Sequence, residues 1–330
     1  MNLLFAVSFA LFFLSLTLCG TLATLMHRRD VGQHIRTEGP TGHAVKSGTP
    51  TMGGTVFIGL WTVAVLILWL IRFREGATGF VLTAGLAFGG IGWLDDLLSL
   101  RRKRSEGLAS WQKIGLATAM AIGLFFSFRR WIDVPQLIPF SSYAIKLPQI
   151  ALFVLVWMVF LATPNSVNLT DGLDGLAGGT SLLILVGFLL MLPTLETALW
   201  TLPLIAAVCG FLWHNTHPAN LFMGDVGSFA LGGIIAAVAL ANGLAFMLPL
   251  LGGVIVLESG SVILQVGGYR LTGKRLFKMA PIHHHFERHP VDRAHVLRGP
   301  EWPESRITSR FLLIQALFVA LTVLAMLPHQ

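Results

Sequence analysis

The segment MNLLFAVSFALFFLSLTLCGTLATLM, residues 1–26, has no charged side chain, and HRRD follows it at residues 27–30. A membrane-spanning helix needs about 20 mainly apolar residues, so this segment is long enough to cross a bilayer. A secretory signal peptide carries positive charge before its apolar core, whereas here the charge comes after it. We therefore expect a retained first span with its amino terminus outside and its basic flank in the cytoplasm.

The rest of the chain has the same apolar character. Of its 330 residues, 54% are hydrophobic and 12% are charged, whereas soluble domains carry about 25% charged residues. The composition therefore predicts an integral membrane protein rather than a soluble one. Cys19 and Cys209 both lie in apolar runs, so we expect no disulfide framework.

Ten continuous apolar runs are candidates for spanning helices, and they lack the alternation of a membrane β-barrel. They are residues 3–25, 54–72, 78–95, 112–128, 148–164, 176–193, 198–213, 227–241, 246–267 and 308–327. We expect an all-α, polytopic integral membrane protein with about ten transmembrane helices, whose residues 1–330 form a single catalytic domain. With the amino terminus outside, 18 of the 23 Lys and Arg residues fall on the cytoplasmic side, which supports this orientation. Topology thus accounts for most of the net charge of +7, and we expect no nucleic-acid partner.

Residues 165–178, NSVNLTDGLDGLAG, carry two amides and two carboxylates at intervals of three. In a helix or a tight turn, Asn165, Asn168, Asp171 and Asp174 would lie along one side. Carboxylates at membrane depth are costly, so their presence indicates a function. Capping of the following helix would explain one of these residues but not all four.

Three further aspartates stand where predicted spans meet the cytoplasm. Asp225 begins a span, where capping of the helix is an equally good explanation. Asp95 and Asp96 lie at the carboxyl end of the predicted third span, where the helix dipole opposes negative charge. A divalent metal or a role in proton transfer would account for this pair. The basic run at residues 101–104, or a solvated helix end, is the alternative.

Two loops on the same side suit an anionic ligand. KSGTPTMGG, residues 46–54, has glycines that let the backbone approach a phosphate, although it lacks the order of a P-loop and an ordinary turn is the alternative. PIHHHFE, residues 281–287, has three consecutive histidines, which cannot share one helical face and so do not predict a three-histidine metal site. We expect donors to an anionic substrate there, with a basic helix on the membrane surface as the alternative. Glu258, alone within the ninth span, is expected to be a hydrogen-bonded structural carboxyl.

Carboxylates, amides, a glycine-rich loop and basic residues on one membrane face indicate metal-assisted phosphoryl chemistry. Magnesium prefers oxygen ligands, and proteins often hold it with one or two carboxylates and phosphate oxygens. A membrane location suits an enzyme with one soluble substrate and one that is anchored by a lipid tail. A secondary transporter, whose ion pathway also uses intramembrane carboxylates, is the rival from another class, and a non-enzymatic scaffold is the third reading.

Five motifs, in this order, resemble those of the bacterial phospho-N-acetylmuramoyl-pentapeptide transferases, which belong to the polyprenyl-phosphate N-acetylhexosamine-1-phosphate transferase superfamily. They are KSGTPTMGG (46–54), WLDDLLSL (93–100), NSVNLTDGLDGLAGG (165–179), FLWHNTHPANLFMGDVGS (211–228) and PIHHHFE (281–287). The resemblance implies transfer of phospho-MurNAc-pentapeptide from UDP-MurNAc-pentapeptide to undecaprenyl phosphate, giving lipid I and UMP. It also implies a Mg²⁺ cofactor, a homodimer, and an active site on the cytoplasmic face of the bacterial inner membrane. A sister transferase that moves GlcNAc-1-phosphate shares the aspartate motifs and is the nearest alternative.

The resemblance also implies roles for individual residues. Asp225 and Asp171 are the expected magnesium ligands. Asp95, Asp96 and Asp225 are the expected catalytic residues, and Asp95 would deprotonate or orient the lipid phosphate. An aspartate that forms a covalent phospho-enzyme is the alternative mechanism. The expected substrate-binding residues are Lys46, Thr51, Lys113, Asn168, Asp171, Asp174, Asn215, Phe222, His283, His284 and His285.

Overall fold

The computed structural model of the protein describes residues 1–29, 32, 46, 48–71, 76–102, 107–288 and 294–326. The helices are α1 (Asn2–Arg28), α2 (Gly54–Ile71), α3 (Thr78–Arg102), α4 (Ser110–Ile132), α5 (Gln149–Thr170), α6 (Leu176–Met191), α7 (Leu195–Asn215), α8 (Gly224–Ala241), α9 (Leu248–Leu251), α10 (Gly253–Thr272) and α11 (Glu304–Met326). Between α4 and α5, strands β1 (Gln136–Leu137) and β2 (Ala144–Ile145) pair antiparallel. A 3₁₀ helix spans Ile282–Phe286.

Nine of the described helices are long and apolar enough to cross a membrane. The remaining predicted span corresponds to α6, a shorter apolar helix of 16 residues. The all-α, polytopic architecture and the count of about ten spans are therefore confirmed. The single catalytic domain over residues 1–330 stays a prediction.

Two helices extend further than predicted at the ends that carry polar residues. α3 continues to Arg102, so Asp95 and Asp96 lie about two turns inside the helix rather than at its end. The dipole argument for this pair is wrong for that reason. α5 continues through Pro164 to Thr170. The predicted bounds were drawn where apolar residues give way to polar ones, whereas the helical hydrogen bonds continue past that point.

The predicted ninth span is also divided. Residues 246–267 form the short helix α9 and the first part of α10, which meet at Gly252. α10 then runs on to Thr272, five residues beyond the predicted end. Apolar composition alone does not reveal such a break, because apolar residues continue on both sides of Gly252.

α8 is the central helix of the bundle. All of its residues except Asp225 and Ala241 are buried, and α2, α3 and α5 pack against it. Its sequence, GDVGSFALGGIIAAVALA, has small and apolar residues on every side, as expected for a helix that is enclosed by other helices.

Glycines on one face of α3 allow it to approach α8 closely. A β-carbon at Gly89 would lie 3.1 Å from the Ala230 β-carbon, and one at Gly92 would lie 2.0 Å from the Asp225 carbonyl oxygen. Residues three and four positions further along a helix lie on the same face. The close packing at Gly92 therefore brings Asp95 and Asp96 to the amino end of α8.

Candidate active site

A side chain from α3 caps the amino end of α8. Asp96 accepts hydrogen bonds from the backbone amides of Asp225 and Val226, each at 3.0 Å. Gly224, at φ +75, leaves room for this carboxylate, because a β-carbon there would lie 2.5 Å from Asp96 Oδ2. The capping role that the sequence allows for Asp225 thus belongs to Asp96, and the Asp225 carboxylate is available for other contacts.

Asp95, Asp96 and Asp225 form a group that we call the aspartate cluster. One carboxylate oxygen from each lies within 4.8 Å of the others. Lys113, on α4, bridges two of them, with Nζ 2.6 Å from Asp225 Oδ2 and 3.1 Å from Asp95 Oδ1. The Leu108 amide donates to Asp95 Oδ1 at 2.6 Å. Of the predicted pair, Lys113 contacts Asp95, whereas Asp96 bonds the α8 backbone. Residues 103–106, which include part of the predicted basic run, lie outside the described residues.

α5 contributes an amide to the same cluster. Asn168 Nδ2 donates to Asp225 Oδ1 at 2.8 Å and to Ser228 Oγ at 3.0 Å. Asn165, one turn earlier, instead donates to the Leu161 carbonyl of its own helix. Asn165 is therefore not part of the polar face predicted over residues 165–174. Asn168 bonds Oδ1 of the Asp225 carboxylate, and Lys113 bonds Oδ2.

A second polar group, which we call the lysine cluster, consists of Lys46, Asp174, His217 and Glu304. Lys46 Nζ lies 2.7 Å from Asp174 Oδ1 and also bonds Glu304 Oε1. His217 Nδ1 lies 3.0 Å from Asp174 Oδ2 and 3.5 Å from Glu304 Oε2. These contacts join four segments at one end of the bundle: the loop before α2, the connection from α5 to α6, the segment before α8 and the start of α11.

In the lysine cluster, the opposite charges of Lys46 and Asp174 each favour ionisation of the other. Burial opposes ionisation of Asp174, but Lys46, the Ala219 amide and His217 outweigh it and lower the pKa of this carboxyl. Burial likewise opposes the charge of Lys46, but Glu304 and Asp174 outweigh it and raise the pKa of this amine. Both partners are therefore ionised around neutral pH.

Asp171 lies in the α5–α6 turn, residues 171–175, and charged groups of both clusters affect its pKa. Burial, followed by the carboxylates of Asp225 and Asp174, raises the pKa of Asp171 to about 7, and Lys46 and His283 offset only part of this effect. A carboxyl held in this state is stabilised in its charged form by a nearby cation. Its oxygen atoms are donors that magnesium prefers, so the residues present fit the ion. Asp171 is not among the three carboxylates within 4.8 Å of one another, and the ligand pair Asp171 and Asp225 stays a prediction.

The glycine-rich loop pairs with the segment that leads into α8. The Gly53 amide donates to the Phe222 carbonyl at 2.9 Å, and the Phe222 amide donates to the Pro50 carbonyl at 2.8 Å. Thr51, between them in the loop, is buried, whereas Phe222 is partly exposed. The loop thus braces the start of α8 through its backbone, and the substrate contacts of Thr51 and Phe222 stay predictions.

Asn215, the last residue of α7, joins two parts of the site. Its Oδ1 accepts the Gly175 amide at 3.2 Å, and its Nδ2 donates to the Leu221 carbonyl at 3.0 Å. Both amide atoms therefore hold the α5–α6 turn against the segment before α8. The predicted contact between Asn215 and uridine is not required to explain these bonds, and it stays a prediction.

The three consecutive histidines turn to different partners. His283 Nδ1 lies 3.0 Å from Glu258 Oε2, His284 bonds Glu287, and His285 Nδ1 accepts a backbone amide at 3.1 Å. The three rings thus do not share one set of partners, and the absence of a three-histidine metal site stays a prediction. Glu258 is a hydrogen-bonded carboxyl, as expected.

The basic surface helix considered for this segment is wrong. After α10 ends at Thr272, the next helical residues of the described chain are those of the short 3₁₀ helix that carries the histidines. Alternation of basic and apolar residues over 274–287 indicated a helix, but the backbone amides there bond instead to the Gln265 side chain and to His285.

Sequence reasoning missed two members of the lysine cluster. His217 lies within the motif at residues 211–228, so its position there was a signal that it belongs to the site. Glu304 lies outside all five motifs, and an acidic residue in the first turn of a helix is expected from the helix dipole alone. Only the fold shows that Glu304 meets Lys46.

The fold and site together define a class: a polytopic membrane protein whose acidic and basic side chains meet at one end of its helices. A family model described as "Glycosyl transferase family 4" matches residues 78–243. That range contains the whole aspartate cluster, Lys113, Asn168 and the α5–α6 turn. The class is thus that of the membrane-embedded glycosyl transferases of family 4.

More specific comparisons agree with one another. A model described as "Phospho-N-acetylmuramoyl-pentapeptide-transferase signature 1" matches residues 46–58. Proteins named phospho-N-acetylmuramoyl-pentapeptide-transferase are similar over nearly the whole chain. That of Clostridioides difficile (strain 630) is 38% identical over 95% of each chain, and that of Dictyoglomus turgidum is 38% identical over 97% of each. That of Bifidobacterium adolescentis is 39% identical over 94% of this chain and 93% of the relative. The protein belongs to the phospho-N-acetylmuramoyl-pentapeptide-transferase family, as the five motifs predicted.

Proposed function

We propose that the protein transfers phospho-MurNAc-pentapeptide from UDP-MurNAc-pentapeptide to undecaprenyl phosphate, forming lipid I and UMP in the bacterial inner membrane. Family membership supports the reaction. The observation that carries the proposal is the bridge from Lys113 on α4 to Asp95 on α3 and Asp225 on α8. It shows that charged groups from three separate helices converge, which a site for a diphosphate and a cation requires.

The nucleotide part of the substrate is assigned to the lysine cluster and its surroundings. Asp174 and Lys46 form an ionised pair there, and each has capacity for further hydrogen bonds. Phe222 is partly exposed on the segment between the two clusters, and its aromatic face suits stacking on the uracil base. The diphosphate would then extend past Asp171 towards the aspartate cluster, beside Asn168 and Lys113.

Asp225 and Asp171 are the residues that would hold Mg²⁺. When bound, this ion supplies positive charge that neutralises the diphosphate and stabilises the departing UMP. The chain contributes the orientation of its ligands, because Asn168 bonds one oxygen of the Asp225 carboxylate and Lys113 bonds the other. Lys113 supplies part of the same positive charge from the protein itself.

Direct attack of the lipid phosphate is the mechanism that we favour. An oxygen of undecaprenyl phosphate forms a bond to the phosphorus that carries the sugar, and the bond from that phosphorus to UMP breaks. Asp95 takes the proton of the attacking phosphate or orients it. The Asp95 carboxylate is held by the Leu108 amide and Lys113 at Oδ1, whereas both oxygens of Asp96 bond the α8 backbone. Asp95 is therefore better suited than Asp96 to act on the substrate, and we assign Asp96 to positioning Asp225. A covalent phospho-enzyme remains the rival mechanism.

The site is assigned to the cytoplasmic side, with the amino terminus outside. Support comes from the basic residues that the predicted topology places on that side. A soluble UDP-sugar would reach the site from the cytoplasm, and the lipid substrate would reach it from the bilayer. A homodimer stays a prediction from the family resemblance, since the convergence of these side chains occurs within a single chain.

Turnover of purified protein with alternative donors tests the function. The protein in detergent is mixed with undecaprenyl phosphate and Mg²⁺, together with either UDP-MurNAc-pentapeptide or UDP-GlcNAc. We expect UMP and a lipid-linked product from UDP-MurNAc-pentapeptide. Lipid product from UDP-GlcNAc alone would identify the sister transferase instead. Uptake of substrate into sealed vesicles without release of UMP would support a transporter.

A further inference from the structure

Glu258 and His283 form a completely buried pair beside the proposed active site. Both side chains are 0% exposed. The His283 ring nitrogen Nδ1 lies 3.0 Å from Glu258 Oε2, and the His283 backbone amide donates to the same oxygen at 3.4 Å. A backbone amide can only donate, so Glu258 Oε2 accepts from it, and an ionised Glu258 would also accept a proton-bearing Nδ1 at the same oxygen. Glu258 therefore fixes both the tilt of the ring and the protonation of Nδ1.

The opposite ring nitrogen is directed at the α5–α6 turn. His283 Nε2 is shielded from solvent and has no hydrogen-bond partner among the described residues. A β-carbon at Gly172 would lie 2.3 Å from Nε2, so the nitrogen faces a position in the turn that has no side chain. Any other residue at this position would displace the ring or the turn.

A buried ring nitrogen without a partner requires an explanation, since most such groups are bonded. Gly172 is the direct neighbour of Asp171, and Asp174 follows two residues later. The proposed function places Asp174 beside the nucleotide and Asp171 on the path of the diphosphate. A ligand that orders this turn would therefore bring anionic oxygens close to Nε2.

We propose that Glu258 is a positioning residue for the transferase reaction: it holds His283 so that Nε2 donates a hydrogen bond to a phosphate oxygen of the bound UDP-sugar. The Glu258 carboxylate also balances the charge of the imidazolium that this contact requires, since both ring nitrogens then carry protons. The inference rests on the proposed function, because it takes the diphosphate of that substrate as the ligand.

Steady-state kinetics of Glu258→Leu, Glu258→Gln and His283→Asn test the proposal. Removal of a charged hydrogen bond lowers kcat/KM for the UDP-sugar by about 10- to 100-fold, and we expect this for Glu258→Leu. Glu258→Gln retains an acceptor for Nδ1 and should lose less. The KM for undecaprenyl phosphate should stay within about twofold in each variant, because the contact is with the other substrate. A purely structural role would not confine the loss to one substrate.

The double variant Glu258→Leu/His283→Asn shows whether Glu258 acts through His283. We expect it to be no worse than His283→Asn alone, because residues that act as one unit are not additive. Leu257→Ala, at the neighbouring lipid-exposed position of α10, is the matched control and should behave as wild type. Additive losses in the double variant would contradict the proposal.

Calorimetric binding of UDP separates this inference from the proposed function. UDP carries the diphosphate but requires no turnover, and its affinity should fall about tenfold in Glu258→Leu. If the wild-type protein released no UMP from UDP-MurNAc-pentapeptide, the proposed function would fall while this measurement still applied. Equal UDP affinity in wild type and in Glu258→Gln and Glu258→Leu would overturn the positioning role and indicate that a buried water satisfies Nε2.

Discussion

Asp96 and Asp225 show how two aspartates of one cluster divide structural and chemical roles. Asp96 bonds the first amides of α8, so the helix is capped from outside its own sequence. Asp225 can then meet Asn168 and Lys113 with its carboxylate. The sequence could not assign these roles, because Asp96 lies 129 residues before Asp225, whose backbone amide it accepts.

Substitution of these two residues should therefore have different consequences. Asp225→Asn is expected to reduce UMP release by at least about 100-fold with little change in Tm, because the amide keeps the size of the side chain but lacks its charge. Asp96→Ala is expected to lower stability by about 1–2 kcal/mol, the usual cost of a lost helix cap, and to reduce activity as well. UMP release and thermal unfolding in detergent check both outcomes. Normal turnover by Asp225→Asn would remove its proposed role.

The ion pair between Lys46 and Asp174 leads to a second prediction about single residues. The pKa of Asp174 is lowered in the folded protein, so its ionisation stabilises the fold above the unfolded pKa, and this contribution disappears as the pH falls through the folded pKa. Lys46→Met removes the positive charge that pairs with the Asp174 carboxylate. We expect a loss of about 3 kcal/mol at neutral pH, as for a broken buried ion pair, and convergence with wild type in acid.

Thermal unfolding of Lys46→Met and wild type over a range of acid to neutral pH measures this difference. Lys274→Met removes the same charge at an exposed position and serves as the control. A difference from wild type that stayed constant into acid would show that Lys46 stabilises the protein by packing rather than by its charge.

Helix packing explains why the site forms where it does. The apolar runs predicted α3 and α8 as spans, and the glycines of α3 were visible in the sequence. The sequence did not show that these glycines face α8, because it does not reveal which helices are neighbours. The extra turns of α3 and α5 were missed for another reason: buried polar residues continue the helices when partners from other helices satisfy them.

A methyl group at the α3–α8 contact should therefore affect both packing and chemistry. Gly92→Ala would place a carbon 2.0 Å from the Asp225 carbonyl oxygen, so the helices must separate. We expect a loss of about 1–3 kcal/mol in stability, as for overpacking, together with a large fall in UMP release. Gly90→Ala, on the same helix with open space around it, should retain both. Equal behaviour of the two variants would contradict the role of this contact.

The whole molecule gathers its polar connections at one end of the bundle. The loop before α2, the α5–α6 turn, the segment before α8 and the histidine segment were each predicted to lie on one membrane face, and their contacts confirm that they meet. The family resemblance indicated their residues, and the distribution of Lys and Arg indicated the membrane side on which they are expected. Neither indicated Glu304, whose position follows from the packing of α11 against α6.

Orientation in the membrane is checked by thiol labelling of whole cells. In a chain whose two native cysteines are replaced by alanine, Ser142→Cys lies near the β1–β2 hairpin and Thr272→Cys lies at the end of α10; both positions are exposed. An impermeant maleimide should label Ser142→Cys in intact cells, and Thr272→Cys only after lysis. The reverse pattern would place the site on the outer face.

Binding of Mn²⁺ is the most direct test of the convergence of these carboxylates. Mn²⁺ accepts the oxygen ligands that suit Mg²⁺ and can be followed by electron paramagnetic resonance. With purified protein and UDP, we expect a bound ion that is lost in Asp225→Asn and also in Asp171→Asn. It should persist in Asp133→Asn, whose carboxylate instead bonds Gln149. Unchanged Mn²⁺ binding in both site variants would contradict a cation held jointly by α8 and the α5–α6 turn.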